Sequence, residues 1–279
     1  MQINIEKAEN PEFAHWWAIY RNVNEDYSQG FAEQAQDIVS VPFCHWILAD
    51  GKRIGGFITV PNNIGDFFLV HPFTDAYRAL KAIIPQVKTN GTITARNVLD
   101  THCHAFQLLG FQTVESRRWM IRPTQAYDLV TFDDLTRIAP QSEQTEDIAR
   151  LMLTAFEGGA GQYGQRKIDA HQNSVENYFK TIADDDSCHQ ASSVIMDGDK
   201  MVSACLIQRY KSLVTVRFVV THPDYQGRGL AQKQIQHGIN AIKDEYKTVA
   251  LAVTIGNPAE ALYQKMGFVS GAITHTLQC

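Results

Sequence analysis

The sequence predicts an α/β chain of the α+β type, built as two tandem copies of one fold. Three observations carry that expectation. The first is an internal repeat: Asp50-Gly51 and Asp197-Gly198 each sit between two apolar runs, His71-Pro72 and His222-Pro223 each end an apolar run, and Leu109-Gly110-Phe111 matches Met266-Gly267-Phe268. The separations are 147 from 50 to 197, 151 from 71 to 222 and 157 from 111 to 268, in the same order and drifting slowly, as in a duplicated fold with small insertions. The second is alternation of strand-length apolar runs with stretches of helical spacing in both halves. The third is length: 279 residues suffice for two domains that each bury a core.

In chain order, Phe13, Trp16, Trp17, Ile19 and Tyr20 repeat at helical spacing, and so do Ile148, Leu151, Met152, Ala155 and Phe156. Cys44 to Ala49 and Ile54 to Val60 flank Asp50-Gly51; Ala191 to Met196 and Met201 to Ile207 flank Asp197-Gly198. Asp-Gly favours the type I′ turn, so both pairs read as hairpins. Val214 to Val220 and Val249 to Val253 are short apolar runs of buried-strand type. Between the halves, the stretch from Pro123 to Asp134 is polar and irregular, and a second copy starts near Leu135-Thr136-Arg137-Ile138. The expected division is residues 1–123 as the first domain, 124–134 as a linker and 135–279 as the second domain.

Composition bounds the partners. At 44% apolar and 20% charged residues with net charge −5, the chain is expected to be soluble and cytoplasmic, a monomer or homodimer. A negative chain gains nothing from neutralising a phosphate backbone, which excludes nucleic acid as a natural partner. Charges within the first seven residues and the lack of a long apolar stretch argue against a signal segment and a membrane span. Five scattered cysteines without a C-x-x-C pair read as reduced thiols. His102-Cys103-His104 are helix neighbours about 100° apart and cannot all chelate one ion, so no metal is expected.

The chemistry centres on Thr221-His222-Pro223-Asp224-Tyr225-Gln226-Gly227-Arg228-Gly229-Leu230-Ala231. It follows the run from Val214 to Val220 and opens an amphipathic helix expected to bury Ala231, Ile235, Ile239 and Ile242. Glycines let successive backbone N–H groups point into one concavity, and the helix adds its unpaired first-turn donors. That combination suits a pyrophosphate. Gly-Lys-Ser/Thr is missing at the helix start, and Gln232 stands where a dinucleotide fingerprint needs its third small residue.

What is left, Gln226-x-x-Gly229-x-Ala231, resembles the acetyl-CoA loop of the GNAT family of N-acetyltransferases. Asn257-Pro258-Ala259-Glu260-Ala261-Leu262-Tyr263-Gln264-Lys265-Met266-Gly267-Phe268 looks like the same family's second signature. The resemblance implies, for each copy, a mixed, mostly antiparallel twisted sheet flanked by helices. It implies two strands that splay apart to admit a pantetheine arm. Val219, Val220 and Thr221 would then offer backbone to the arm and thioester, Gln226, Gly227, Arg228, Gly229, Leu230 and Ala231 would hold the pyrophosphate, and Asn257 would meet the arm. Tyr263 would face the sulfur as the acid that protonates the departing thiolate, its ordinary pKa near 10 being comparable with that of a thiol. Asn257-Pro258 is equally a good helix start, and Tyr263 alone would pass for a core aromatic.

The implied activity is acetyl transfer from acetyl-CoA, a cosubstrate, to an amine in a ternary complex, a small-molecule acceptor being favoured over a protein. A non-catalytic acyl-CoA sensor is the alternative. The glycine-rich stretch from Glu157 to Gln165 would, by the resemblance, shape the acceptor pocket. The first copy lacks the machinery: Phe73-Thr74-Asp75-Ala76-Tyr77-Arg78-Ala79-Leu80 carries no glycine, and Phe106 stands where the second copy has Tyr263. It is expected to be degenerate.

Overall fold

The computed structural model describes residues 2–25, 31–128, 131–157, 167–210 and 213–279. Two compact units divide the chain. The first comprises Met1–Trp119 together with Gly271–Cys279, and the second comprises Met120–Ser270.

The first unit runs β1 (Ile3–Lys7), α1 (Asn10–Glu25), α2 (Phe31–Val39), β2 (Cys44–Ala49), β3 (Lys52–Val60), β4 (Asn63–Leu69), α3 (Ala76–Val87), β5 (Thr94–Leu99), α4 (Asp100–Leu108) and β6 (Gln112–Pro123), whose last residues pass into the second unit. The second unit continues with β7 (Thr136–Ile138), α5 (Thr145–Phe156), α6 (Ile168–Thr181), α7 (Asp186–Ala191), β8 (Ser193–Asp197), β9 (Lys200–Tyr210), β10 (Leu213–Thr221), α8 (Leu230–Ile242), β11 (Thr248–Thr254) and α9 (Ala259–Lys265). The last strand, β12 (Val269–Gln278), returns to the first unit, where it pairs antiparallel with β5 from Thr274↔Leu99 to Gln278↔Thr94.

Strand order in the first unit is β1-β2-β3-β4-β5-β12-β6, and in the second the end of β6 is followed by β11-β10-β9-β8-β7. Each sheet is mixed and mostly antiparallel, and among the described pairings β4 with β5 and β10 with β11 run parallel. A parallel pair needs a crossover, and α3 and α8 supply it. Each unit has its own core. Phe57, Phe67, Ile83 and Phe106 are fully buried in the first, while Ile148, Val175, Ile207 and Ile239 are fully buried in the second.

The repeat extends to single residues. The parallel ladders comprise Asn63↔Thr94, Ile64↔Ala95 and Gly65↔Arg96 in one unit and Val214↔Val249, Thr215↔Ala250 and Val216↔Leu251 in the other. Asn63 and Val214 are 151 apart, the separation of the two His-Pro pairs. Gly110 and Gly267 both end a helix with positive φ, 89° and 86°. Phe106 meets Phe111 edge-on at 5.2 Å, as Tyr263 meets Phe268 at 6.1 Å.

Several expectations fall differently. Asp50 and Gly51 both have positive φ, 48° and 78°, as a type I′ turn requires. In the second hairpin Asp197 pairs with Lys200, so the loop is Gly198-Asp199 and only Gly198 has positive φ. The expected boundaries at 123 and 135 also move. Thr124 N donates to Lys247 O and Tyr127 N to Asn240 Oδ1, which binds the stretch read as linker to the second unit. Residues 271–279, read as part of the second domain, belong to the first because β5 is their ladder partner. In α1, Ile19 is 43% exposed, and the buried stripe runs through Phe13, Ala14, Trp17, Ala18 and Arg21.

Candidate functional site

Strand β10 sets the site. It pairs with β9 along its length, with an irregularity between Val216 and Phe218 that leaves Arg217 as the extra residue. Its parallel ladder with β11 runs from Val214 to Val216. Beyond it Phe218, Val219, Val220 and Thr221 have no ladder partner in Ala252, Val253 and Thr254, and every second residue of each strand turns its N–H and C=O toward this unpaired stretch. The sequence had placed Val219, Val220 and Thr221 on this stretch.

After β10 the chain makes a single tight turn at Pro223–Tyr225, with His222 Nδ1 accepting from Asp224 N at 3.3 Å. Gly227 has φ 76° and Gly229 φ 74°, the left-handed region where a side chain is strained. Gly229 is the N-cap of α8, with no side chain to fill the helix start, and Lys233 N bonds Gly229 O at 2.9 Å as the helix begins. The N–H groups of Leu230 and Ala231, being first-turn donors, have no carbonyl four residues back. A Cβ built on Gly227 or Gly229 meets nothing within 4 Å, and Gln226 through Gly229 are exposed, so the concavity has room for a ligand.

A buried polar network fixes this helix against the sheet. Ser203 on β9, Ser193 on β8 and Gln234 on α8 are each 0% exposed. Ser203 Oγ lies 2.7 Å from Val220 O and 2.6 Å from Gln234 Oε1, while Gln234 Nε2 donates to Ser193 O and Oγ at 3.1 Å. Gly238 brings the next turn close, since a Cβ there would lie 2.8 Å from Ala191 O. The buried face of α8 is therefore Leu230, Gln234, Ile235, Gly238, Ile239 and Ile242, with Ala231 half-buried. Helical period finds the isoleucines but assigns glutamine to the surface, so sequence reading missed Gln234 and Ser203.

Charge gathers at the turn. The Tyr225 hydroxyl donates to Asp197 Oδ2 at 2.6 Å, and its ring lies 5.2 Å from both Lys200 Nζ and Arg228 Cζ. Lys233 pairs with Asp133 at 2.9 Å. His222 lines a hollow of about 320 Å³ together with Asp147, Arg150, Met196, Lys200 and Met201.

At the start of α9, Asn257 Oδ1 accepts from Ala259 N at 2.9 Å, so this asparagine caps the helix. Tyr263, 7% exposed, shares a core cluster with Val216, Val220, Leu251 and Val253 from the two diverging strands. Burial, with Cys205 nearby, pushes its phenol well above the ordinary range. The near match to a thiol pKa inferred from an unperturbed tyrosine is lost, and the hydroxyl keeps its proton throughout neutral pH. Arg122 and Tyr127 hold the end of α9: Arg122 Nη1 donates to Met266 O at 2.6 Å, Tyr127 OH to the same oxygen at 2.8 Å, and the guanidinium lies 4.5 Å from the Tyr127 ring. Of the glycine-rich stretch from Glu157 to Gln165, residues 158–165 lie outside the described residues. Among the described residues no group of three or more His, Cys, Asp and Glu is placed to hold a metal ion.

Both units are mixed, mostly antiparallel sheets flanked by helices, as in the GNAT folds they resemble. Residues 188–270, within the second unit, match the family model described as the acetyltransferase (GNAT) domain. Among solved structures, a GCN5-related N-acetyltransferase from Sphaerobacter thermophilus superposes with TM-score 0.67 at 14% identity, covering 99% of this chain and 95% of that one. A tandem GNAT protein from the clavulanic acid biosynthesis pathway gives 0.59 at 11%, covering 100% and 98%. A GNAT-family acetyltransferase from Colwellia psychrerythraea gives 0.59 at 12%, covering 100% and 99%. No curated protein matches the sequence. The fold is that of two tandem GNAT-like domains.

Proposed function

We propose that the second unit is an acetyl-CoA-dependent N-acyltransferase that moves an acetyl group to an amine by direct transfer in a ternary complex. The observation that carries this reading is the divergence of β10 from β11 after Val216, leading into a turn where Gly227 and Gly229 adopt left-handed backbone in open space. A strand edge left unpaired beyond Val216 can take up an extended arm by backbone pairing, and the turn offers N–H donors to a pyrophosphate.

In this reading Val219, Val220 and Thr221 bind the arm, and an N–H near Val220 meets the oxygen that gains charge as the amine attacks the thioester carbonyl. Gln226 to Ala231 hold the pyrophosphate, with Arg228 and Lys200 adding positive charge. Asn257, its carbonyl oxygen engaged as a cap, offers its amide N–H to the arm. The new C–N bond forms as the C–S bond breaks, the amine gives up a proton to solvent, and the thiolate leaves against a proton donor. Tyr263 is that donor, a neutral phenol acting by hydrogen bond to the departing sulfur.

Calorimetry with acetyl-CoA and a thiol-release assay over a panel of small amines, amino acids and peptides test the reading. Binding with acceptor-dependent thiol release supports it. Binding without release from any acceptor supports the sensor instead, and lack of binding removes both.

A further inference from the structure

The first unit repeats the divergence of the second. Its β4 and β5 pair at Asn63↔Thr94, Ile64↔Ala95 and Gly65↔Arg96 and then part, with Asp66 and Asn97 at the fork in left-handed backbone, φ 52° and 51°. By register Phe67 stands where the second unit has Phe218, and Asn97 where it has Ala252. In the second unit these positions begin the open gap.

In the first unit a side chain bridges them. Arg21 lies on α1, one turn beyond Phe13 and Trp17 on the same buried stripe, and is 1% exposed. Its Nη1 donates to Phe67 O at 3.1 Å and its Nη2 to Asn97 O at 2.7 Å, one acceptor on each diverging strand. Nη2 is also 3.6 Å from Asp66 Oδ1, which accepts from Asn97 Nδ2 at 3.3 Å. The planar fork of guanidinium donors suits two carbonyls on separate strands, and the carboxylate balances the buried charge. His102, packed edge-on against Phe67, is held down to about 4 by burial and by the charge of Arg21, and so stays neutral beside it.

The helix start is filled in the same manner. Where α8 begins at Gly229 without a side-chain cap, α3 begins at Asp75, whose carboxylate accepts from Arg78 N at 2.9 Å. A carboxylate of the chain itself therefore takes one of the first-turn donors, Arg78 N, and sets its negative charge at the helix start where a phosphate would sit.

We infer that the first unit is self-liganded: Arg21 occupies the strand gap in place of a pantetheine arm and Asp75 occupies the helix start in place of a phosphate, so this unit takes up no acyl-CoA. The comparison rests on the reading of the β10–β11 gap as the place of the arm, while the occupation by Arg21 is independent of it.

Two measurements on the full chain test this. Calorimetry with CoA should give one site per chain for the wild type and none for Gly229→Val; two sites in the wild type, or a surviving site in the variant, would overturn the inference. Absence of any wild-type site would sink the acyltransferase reading and leave Arg21 to the second measurement. Arg21→Ala should unfold several degrees lower, and millimolar ethylguanidinium, which restores the missing atoms, should recover part of the loss in the variant and none in the wild type. An Arg21→Ala protein as stable as the wild type, or one indifferent to ethylguanidinium, would overturn it. Should that variant not fold, the wild-type stoichiometry decides.

Discussion

Ser203 Oγ meets Gln234 Oε1 across 2.6 Å, joining strand β9 to helix α8 inside the core of the second unit. The same hydroxyl lies 2.7 Å from Val220 O, on the strand that leads into the glycine turn. The position of the turn thus depends on a polar contact that touches no ligand.

Gln234→Leu should therefore cost about 1–3 kcal/mol, because Ser193 O and Oγ lose a buried donor, while Ser203 keeps Val220 O as its acceptor. In the proposed reading it also weakens CoA binding, since α8 carries half of the cradle. Urea unfolding and calorimetry on the same variant measure the two effects.

Gly229→Val should fold with a loss of about 1–2 kcal/mol, the cost of a left-handed backbone for an L side chain, and lose CoA binding. A Cβ at this position meets nothing within 4 Å, so the protein itself tolerates the added bulk and the ligand does not. Normal CoA affinity in the folded variant would remove the cradle from the site.

Tyr263→Phe should lower turnover roughly 10- to 1000-fold with CoA affinity nearly unchanged. Because burial raises the phenol, the wild-type rate should not fall as pH passes the ordinary tyrosine range near ~10. A pH–rate profile that does fall there, or unchanged turnover in the variant, would release Tyr263 from this role.

Stability should decline in alkali. Burial pushes the Cys44 thiol up to about 11 and the Cys205 thiol up to about 12, and raises Tyr178 and Tyr263 as well. In the unfolded chain thiols ionise near ~8.5, so above that pH the unfolded state holds fewer protons than the folded state and stability falls as pH rises. The stability conferred by these groups is complete below ~8.5 and is lost progressively through the folded values. Urea unfolding at pH 7 and pH 10 should show the lower midpoint at pH 10.

Leu277→Ala should cost about 2–5 kcal/mol and loosen the first unit, where Leu277 is fully buried with Ile83, Ala95 and Phe106. Nearby, His275 Nδ1 meets Ser116 Oγ at 2.9 Å and its Nε2 meets Asp100 Oδ1 at 3.0 Å, a row that fastens β12 to β6 and α4. Hydrogen exchange should speed up in residues 2–119 and not around α8.

The repeat and the glycine turn were legible because their signals are local. Asp-Gly, His-Pro and Gly-Phe pairs fix turns and strand ends within a few residues, and the ladder register reproduces the spacing of 151. The polar core was not. Helical period sends Gln234 and Arg21 to solvent by residue type, yet each finds partners far away in the chain, Ser193 and Ser203 for one, Phe67 and Asn97 for the other. Residues 271–279 carry the strand pattern without the address: nothing near Thr274 indicates that its neighbour is Leu99. Asn257 shows the limit of motif reading, since its spacing fits a ligand contact and its observed bond is to Ala259 N.

The return of β12 has a consequence for synthesis. The second unit is contiguous and holds all its strands once residue 270 is made, whereas the first unit must wait for residues 271–279 to fill the place beside β5. On a ribosome the unit that starts first finishes last, with the edge of β5 exposed throughout translation of the other unit. An unpaired edge invites mispairing, and closing it joins residues about 175 positions apart, a slow kind of step. Speed of elongation and chaperone cover should therefore affect the yield of the first unit more than that of the second.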